Sequence, residues 1–107
     1  MLIAALIAFA SAFSTLFIAT PAEAASLNTW KRLAECESGR SWHINTGNGY
    51  YGGLQFSAST WRAFGGGKFA SYAHRATRDE QIRIAEKVRK HQGWGAWPHC
   101  SRKLGLR

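Results

Sequence analysis

The sequence predicts a small, mainly helical α+β domain with one short β-hairpin and one disulfide. Three observations predict it. Two segments carry the period and the caps of amphipathic helices, and the stretch between them is crowded with turn residues. The only two cysteines, Cys36 and Cys100, stand near the two ends of the segment that succeeds an apolar leader.

The leader occupies residues 1–25, "MLIAALIAFASAFSTLFIATPAEAA", and is largely apolar through Ile18. It ends in the small-x-small sequence Ala22-Glu23-Ala24, the form of an export signal cleaved after Ala24 or Ala25. A retained membrane anchor is the competing reading, and the helix-breaking Pro21 ahead of the small residues favours cleavage. No Lys or Arg precedes the apolar run, so the positive end of the signal is the amino terminus alone. Residues 26–107 then form one domain of roughly 80 residues, a size at which a single core is marginal and covalent staples are common. The domain is expected outside the cytoplasm, secreted or at the cell wall, with no stable membrane insertion once the signal is removed.

Export implies an oxidising compartment, where Cys36 and Cys100 can bridge most of the mature chain. A loop of that length is worth about 4 kcal/mol in the chain-entropy picture. A reactive thiol or a zinc ligand is the alternative. His99 adjoins Cys100, but no Cys-x-x-Cys or His-x-x-x-His spacing accompanies it, so no metal is expected and no cofactor is called for.

The first helix should start at Asn28 or Thr29, both good N-caps, and run to about Ser38, with Gly39 as its stop. In "WHINTGNGYYGGLQF", Asn48-Gly49 is the strongest hairpin signal of the chain. Ser57 caps a short helix containing Thr60 and Trp61, ended by Gly65, Gly66 and Gly67. "TRDE", from Thr77 to Glu80, is a capping box that opens a helix through Gln92. Gly93 closes it, and Arg89, Lys90 and His91 suit the negative end of its dipole. The remainder reads as a tail.

The chain holds 14 Lys and Arg against 6 Asp and Glu, a net charge of +8, and the leader contributes only Glu23 to that balance. An acidic partner is implied. For an exported domain this is anionic cell-wall polymer or a membrane surface before nucleic acid, and the basic residues are dispersed with no nucleic-acid motif framing them.

Two glutamates flank Cys36, and helical geometry separates them. With Trp30 at zero, Leu33, Ala34 and Glu37 fall near 300°, 40° and 340°, whereas Glu35 falls near 140°, at about 100° per residue. Glu37 therefore shares the apolar stripe and Glu35 faces water. A carboxyl held against apolar side chains loses hydration of its charged form, keeps its proton to higher pH, and can donate it to a leaving group. The alternative for Glu37 is an ion pair with Arg40; Glu35 is expected to pair with Lys31 or Arg32.

The surroundings are rich in residues that bind sugar: Trp42, Trp94 and Trp97, Tyr50 and Tyr51, with Trp30 and Trp61 assigned mainly to packing. Glycines 47, 49, 52 and 53 leave backbone open to a ligand or simply make turns. Gln92 continues the stripe of Ile82, Ala85 and Val88 although it is polar, which points it to a cleft or makes it a buried amide.

The segments "CESG", "NTGNGYYGGLQF", "STW" and "QGWGAWPHC", in this order, resemble the resuscitation-promoting factor family over essentially the whole of residues 26–107. The loop "FGGGKFASYAHRA" fits only loosely. The resemblance implies a lysozyme-like α+β domain that cleaves peptidoglycan between N-acetylmuramic acid and N-acetylglucosamine. It implies Glu37 as the catalytic acid, a Cys36–Cys100 disulfide, and Thr60 and Gln92 in the cleft. "YGGLQF" is also similar to the glycine-leucine-x-glutamine segment of lytic transglycosylases, which implies Tyr51 and Gln55 near the sugar; Trp42 and Trp94 are expected there too. Peptidoglycan glycan strands are the implied partner, together with a cell-wall endopeptidase, and the chain is expected to be a monomer that serves wall remodelling and resuscitation or growth.

Ordinary glycosidases use two carboxyls. Here Glu35 points away, Asp79 and Glu80 serve a helix start, and Glu86 can pair with Lys90. The expectation is that Glu37 works alone while the substrate supplies the nucleophile, with a 1,6-anhydro product. A lysozyme-type hydrolase, a wall-binding module without turnover and a membrane-active cationic peptide are the other readings.

Overall fold

A computed structural model describes residues 24–107. The export-signal reading falls on residues 1–25 and so lies, apart from Ala24 and Ala25, outside the described residues. Helix α1 spans Leu27–Ser38, β1 Tyr50–Tyr51, β2 Phe56–Ser57, α2 Ala58–Ala63, α3 Arg78–Gln92 and α4 Pro98–Lys103. Three 3₁₀ turns, Gly66–Lys68, Ala73–Arg75 and Trp94–Ala96, fill the connections. This is the mainly helical α+β architecture expected, with a two-stranded antiparallel hairpin and one disulfide. Among the described residues no helix is long and apolar enough to cross a membrane.

Helix α1 starts earlier than expected. Ser26 is its N-cap, and the Ser26 hydroxyl accepts the Thr29 N–H at 3.1 Å. Ser26 takes the cap in place of the expected Asn28 or Thr29, and its carbonyl, four residues before Trp30, accepts the Trp30 N–H within the first turn, at 3.2 Å. Gly39 ends the helix in the left-handed region, as expected, and Arg40 comes next in the same region with φ +62°.

The hairpin is one turn further on than its strongest signal. Asn48-Gly49 reverses the chain only into an isolated bridge between Asn45 and Tyr51, with the Asn48 side-chain oxygen accepting the Tyr50 N–H at 2.9 Å. The paired strands set Tyr50 opposite Ser57 and Tyr51 opposite Phe56, so their turn is residues 52–55. Helices α2 and α3 keep their expected caps. The Ser57 hydroxyl accepts the Thr60 N–H at 3.1 Å, and Thr77 and Glu80 form both bonds of the capping box, at 3.1 and 2.9 Å. What reads as a tail contains α4, with Pro98 at its first position, where a missing N–H costs nothing.

The core is built on tryptophan. Trp30 and Trp61 are fully buried, and Leu33, Ala34, Leu54, Ile84, Ala85 and Val88 pack with them. The Trp30 ring lies 5.1 Å from that of Trp94 and 5.4 Å from that of Trp97. A buried indole N–H needs an acceptor, and Trp30 Nε1 donates to Glu86 at 2.8 Å. This corrects the expected Glu86–Lys90 pair: Glu86 is turned inward, accepts the Ala25 N–H at 2.9 Å, and has Arg89 at 3.5 Å. Trp61 donates to the Ala70 carbonyl at 2.8 Å, and Gly66 lies so close to its ring that a Cβ there would overlap it.

Cys36 and Cys100 are joined, with Cα atoms 5.8 Å apart and a sequence separation of 64, and no described cysteine is free. The bond fastens the last turn of α1 to α4. Closing that loop contributes about 4 kcal/mol, which for a domain of this size corresponds to a Tm difference of roughly 15 to 30 °C. The double variant Cys36→Ser/Cys100→Ser is therefore expected to melt that much lower by circular dichroism, and thiol titration of the folded wild type should find none; an unchanged Tm would mean that the core alone holds the fold.

Candidate active site

Of the chain's six acidic residues, Glu23 lies outside the described part, leaving five side-chain carboxylates. Four are engaged. Glu35 faces Arg40 at 3.5 Å, Asp79 faces Arg78 at 3.1 Å, Glu80 closes the capping box and Glu86 holds the Trp30 indole. Glu37 alone makes no hydrogen bond or ion pair with a described residue. Arg40, the candidate partner for Glu37, instead takes Glu35, and Lys31 and Arg32 are not what Glu35 pairs with in this structure. Because Trp30, Leu33 and Ala34 on the same stripe are fully buried, Glu37 is itself half-buried, and the loss of hydration raises its pKa above the usual glutamate value. Chemically, this is a carboxyl able to hold a proton and with no neighbour that competes for it.

Residues from the hairpin, α2, α3 and the 94–97 turn converge on a cleft of about 220 Å³. Gln55, Thr60 and Gln92, three of the residues expected at a sugar, all line it, with Tyr50 and Trp97 beside them. Each is placed by its element. Thr60 sits in the first turn of α2, fixed by the Ser57 cap, and Gln92 stands one turn after Val88 at the end of α3. Gln92 is exposed, so it is a wall of the cleft and not a buried amide. Gln55 is in the left-handed region at φ +56°, uncommon for a residue with a Cβ, and its amide donates to the Gly52 carbonyl at 3.0 Å. Glu37 is not one of the lining residues. It reaches this part of the molecule through its neighbour Ser38, whose hydroxyl donates to the Gly53 carbonyl at 2.8 Å, in the turn that carries Gln55.

Three expected sugar contacts lie elsewhere. Tyr51 is not among the residues that line the cleft; its ring packs 4.8 Å from Tyr72 and 5.4 Å from His74, and Tyr50, half exposed, lines the cleft instead. Trp94, 7% exposed, is set against Trp30 with the Arg89 guanidinium 4.7 Å over its ring; Trp97, 5% exposed, is also a core residue and borders the cleft only with the edge it leaves uncovered. Trp42 packs its ring on Gly53 and borders a different, broader groove of about 550 Å³ with Arg40, His43 and Arg78. That groove is larger than the cleft, but its two arginines are already paired with Glu35 and Asp79. Convergent polar groups, not volume, single out the smaller one.

Glycines 52 and 53 are not open to a ligand either. A Cβ at Gly52 would overlap the Gln81 amide oxygen, and one at Gly53 would overlap the Trp42 ring. Gln81 is the residue that sequence reasoning passed over. It is fully buried on α3, and the available signal was its place one turn before Ile84 and Ala85 on the inner side of the helix.

Comparison with known proteins identifies the family. Residues 24–100 match the family described as "Transglycosylase-like domain". Resuscitation-promoting factor Rpf1 of Corynebacterium glutamicum is 59% identical over 105 residues, 98% of this chain and 53% of that protein. Resuscitation-promoting factor Rpf of Micrococcus luteus is 59% identical over 86 residues, 80% of this chain and 37% of the relative. Resuscitation-promoting factor RpfA of Mycobacterium tuberculosis is 55% identical over 87 residues, 81% of this chain and 21% of the relative. The chain thus spans about half the length of the first of these proteins and less of the others. The small helical fold with its hairpin and its Cys36–Cys100 bond is consistent with a lysozyme-like domain. By a match that runs from Ala24 to Cys100, the chain belongs to the transglycosylase-like domain family.

Proposed function

We propose that this domain cleaves the glycan strands of peptidoglycan at the β-1,4 bond between N-acetylmuramic acid and N-acetylglucosamine, with Glu37 as general acid and then general base. The observation that carries the proposal is the isolation of Glu37: half-buried, raised in pKa, and the one described side-chain carboxylate without a partner. The names of the relatives and of the family support the same reading.

Protonated Glu37 gives its proton to the glycosidic oxygen as the bond from that oxygen to C1 of the muramic sugar breaks. Positive charge develops at C1 and is met by the sugar's own 2-acetamido oxygen. The Glu37 carboxylate then takes the proton of the 6-hydroxyl as that oxygen attacks C1 and displaces the acetamido oxygen, which restores the acid and closes a 1,6-anhydro ring. No second protein carboxyl is required, and the other four described ones are already committed. Gln55, Thr60 and Gln92 hold sugar hydroxyl and amide groups in register, and the half-exposed Tyr50 offers an apolar face to a ring. Water in place of the 6-hydroxyl makes the same site a lysozyme-type hydrolase.

Export is part of the reading. The Ala25 N–H bonds to Glu86, and cleavage after Ala24 turns that amide into an ammonium facing the same carboxylate, whereas cleavage after Ala25 deletes the contact. Cleavage after Ala24 is therefore favoured, and amino-terminal sequencing of the exported protein is expected to begin at Ala25; a start at Ser26 refutes this choice of site.

Glu37→Gln should cut the release of muropeptides from purified sacculi by about 10²- to 10⁴-fold while the fold is kept. Stability should move the other way. A carboxyl whose folded pKa is raised favours the native state below its unfolded pKa, and that contribution is lost as pH rises through the folded value. Glu37→Gln is thus expected to melt higher than wild type at neutral pH, the gap closing below about pH 4; equal melting at both ends would contradict the desolvated carboxyl. Mass spectrometry of the released muropeptides should show 1,6-anhydro ends. Reducing ends would select the hydrolase, and binding of sacculi without release would select a wall-binding module.

A further inference from the structure

We infer that Gln81 is a positioning residue for the glycan cleft, holding the turn at residues 52–55 between the Glu37 end of α1 and the cleft wall. The inference rests on the proposed roles of Glu37 and the cleft.

Gln81 lies in the first turns of α3 and is fully buried. Its amide reaches three segments that are remote from one another in the fold's connectivity. Nε2 donates to the Trp42 carbonyl at 2.7 Å and to the Ala76 carbonyl at 3.1 Å, and Oε1 accepts the Gly53 N–H at 3.0 Å. Two donors and one acceptor on a single side chain of this length are what glutamine provides. Leucine or methionine would fill the volume and leave three polar groups buried and unpaired, and glutamate would set a charge against two carbonyl oxygens.

The grip on Gly53 is two-sided. Gln81 holds its N–H from α3, and Ser38, the residue after Glu37, holds its carbonyl from α1 at 2.8 Å. One residue on, the Leu54 carbonyl accepts Trp97 Nε1 at 3.0 Å, and the next residue is Gln55, in its left-handed conformation at the cleft. The turn between acid and cleft is therefore fixed from α1, from α3 and from the 94–97 segment. Gly52 is required because the Gln81 amide occupies the space a Cβ would need. Gln81 does not line the cleft, so its effect reaches the sugar only through this turn, by setting where Gln55 stands relative to Glu37. Errors of about 1 Å in such placement cost rate steeply.

The test is Gln81→Met, assayed with a soluble alternating N-acetylglucosamine and N-acetylmuramic acid oligomer at a temperature where circular dichroism shows it fully folded. Turnover per folded molecule is expected to fall about tenfold or more, with a smaller change in KM, and the Gly53 amide should lose protection from hydrogen exchange. A purely structural role would lower Tm and leave turnover per folded molecule at the wild-type value; that result overturns the inference. Should Gln81→Met not fold, Ser38→Ala opens the same grip from its half-buried side. The same fall in turnover is then expected, and wild-type turnover overturns the inference. Glu37→Gln measured alongside separates the two readings: if it stays active, the assignment of Glu37 fails, whereas an inactive Glu37→Gln beside a fully active Gln81→Met removes only the role of Gln81.

Discussion

Trp30 is the largest side chain that α1 buries, and its indole N–H leaves little freedom to the elements around it. An unpaired N–H in a dry core costs about 1 to 3 kcal/mol, so an acceptor has to come to it, and Glu86 of α3 does. That bond fixes the rotation of α1 against α3, and the rings of Trp94 and Trp97 close over the other side of the indole. Once α1 is locked in rotation, the residue two turns along the same stripe, Glu37, is half-buried as a geometric consequence. The packing requirement of an aromatic ring thus sets the protonation behaviour of a carboxyl two helical turns away.

The same geometry explains how a chain with a net charge of +8 leaves one of its described side-chain carboxylates unpaired. Cations are abundant, but Arg40 is engaged with Glu35, and Arg89 with Glu86 and the Trp94 ring. Glu35 is on the solvated side of α1 and takes Arg40; Glu37 is on the apolar stripe, half-buried, where burial raises its pKa. The left-handed backbone of Gly39 and Arg40 helps, since it turns the chain back at the helix end and carries the arginine toward Glu35. Segregation by helical phase, and not by sequence distance, separates an exposed ion pair from a protonatable acid.

A domain this small has little hydrophobic mass with which to hold an irregular hairpin. The stretch from Trp42 to Gln55 contributes Leu54 to the fully buried core and only two residues to β1. Its position is instead set by hydrogen bonds made across the fold: Gln81 to Trp42 and Gly53, Ser38 to Gly53, and Trp97 to Leu54. Buried polar bonds are directional where apolar contacts are not. They suit a segment that has to present Gln55 at one angle, and the positive φ of Gln55 shows that the segment is held against its local preference.

Local signals in the chain determined a good deal by themselves: the helical phase of Glu37, the caps at Ser57 and Thr77, the stops at Gly39 and Gly93, and a cysteine pair able to span the domain. Each depends on residues within one or two turns, where stereochemistry alone decides. What only the tertiary structure decided concerns ties. Asn28 and Thr29 read as caps by residue type, yet Ser26 holds that place, and Tyr50 and Tyr51 are equivalent until packing sets one at the cleft and the other against His74. Trp94 and Trp97 differ only in which meets Arg89 and which meets the cleft, and Gln81 looks like any helical amide until three backbone segments arrive around it. Such choices turn on contacts between residues tens of positions apart, and no local propensity encodes them.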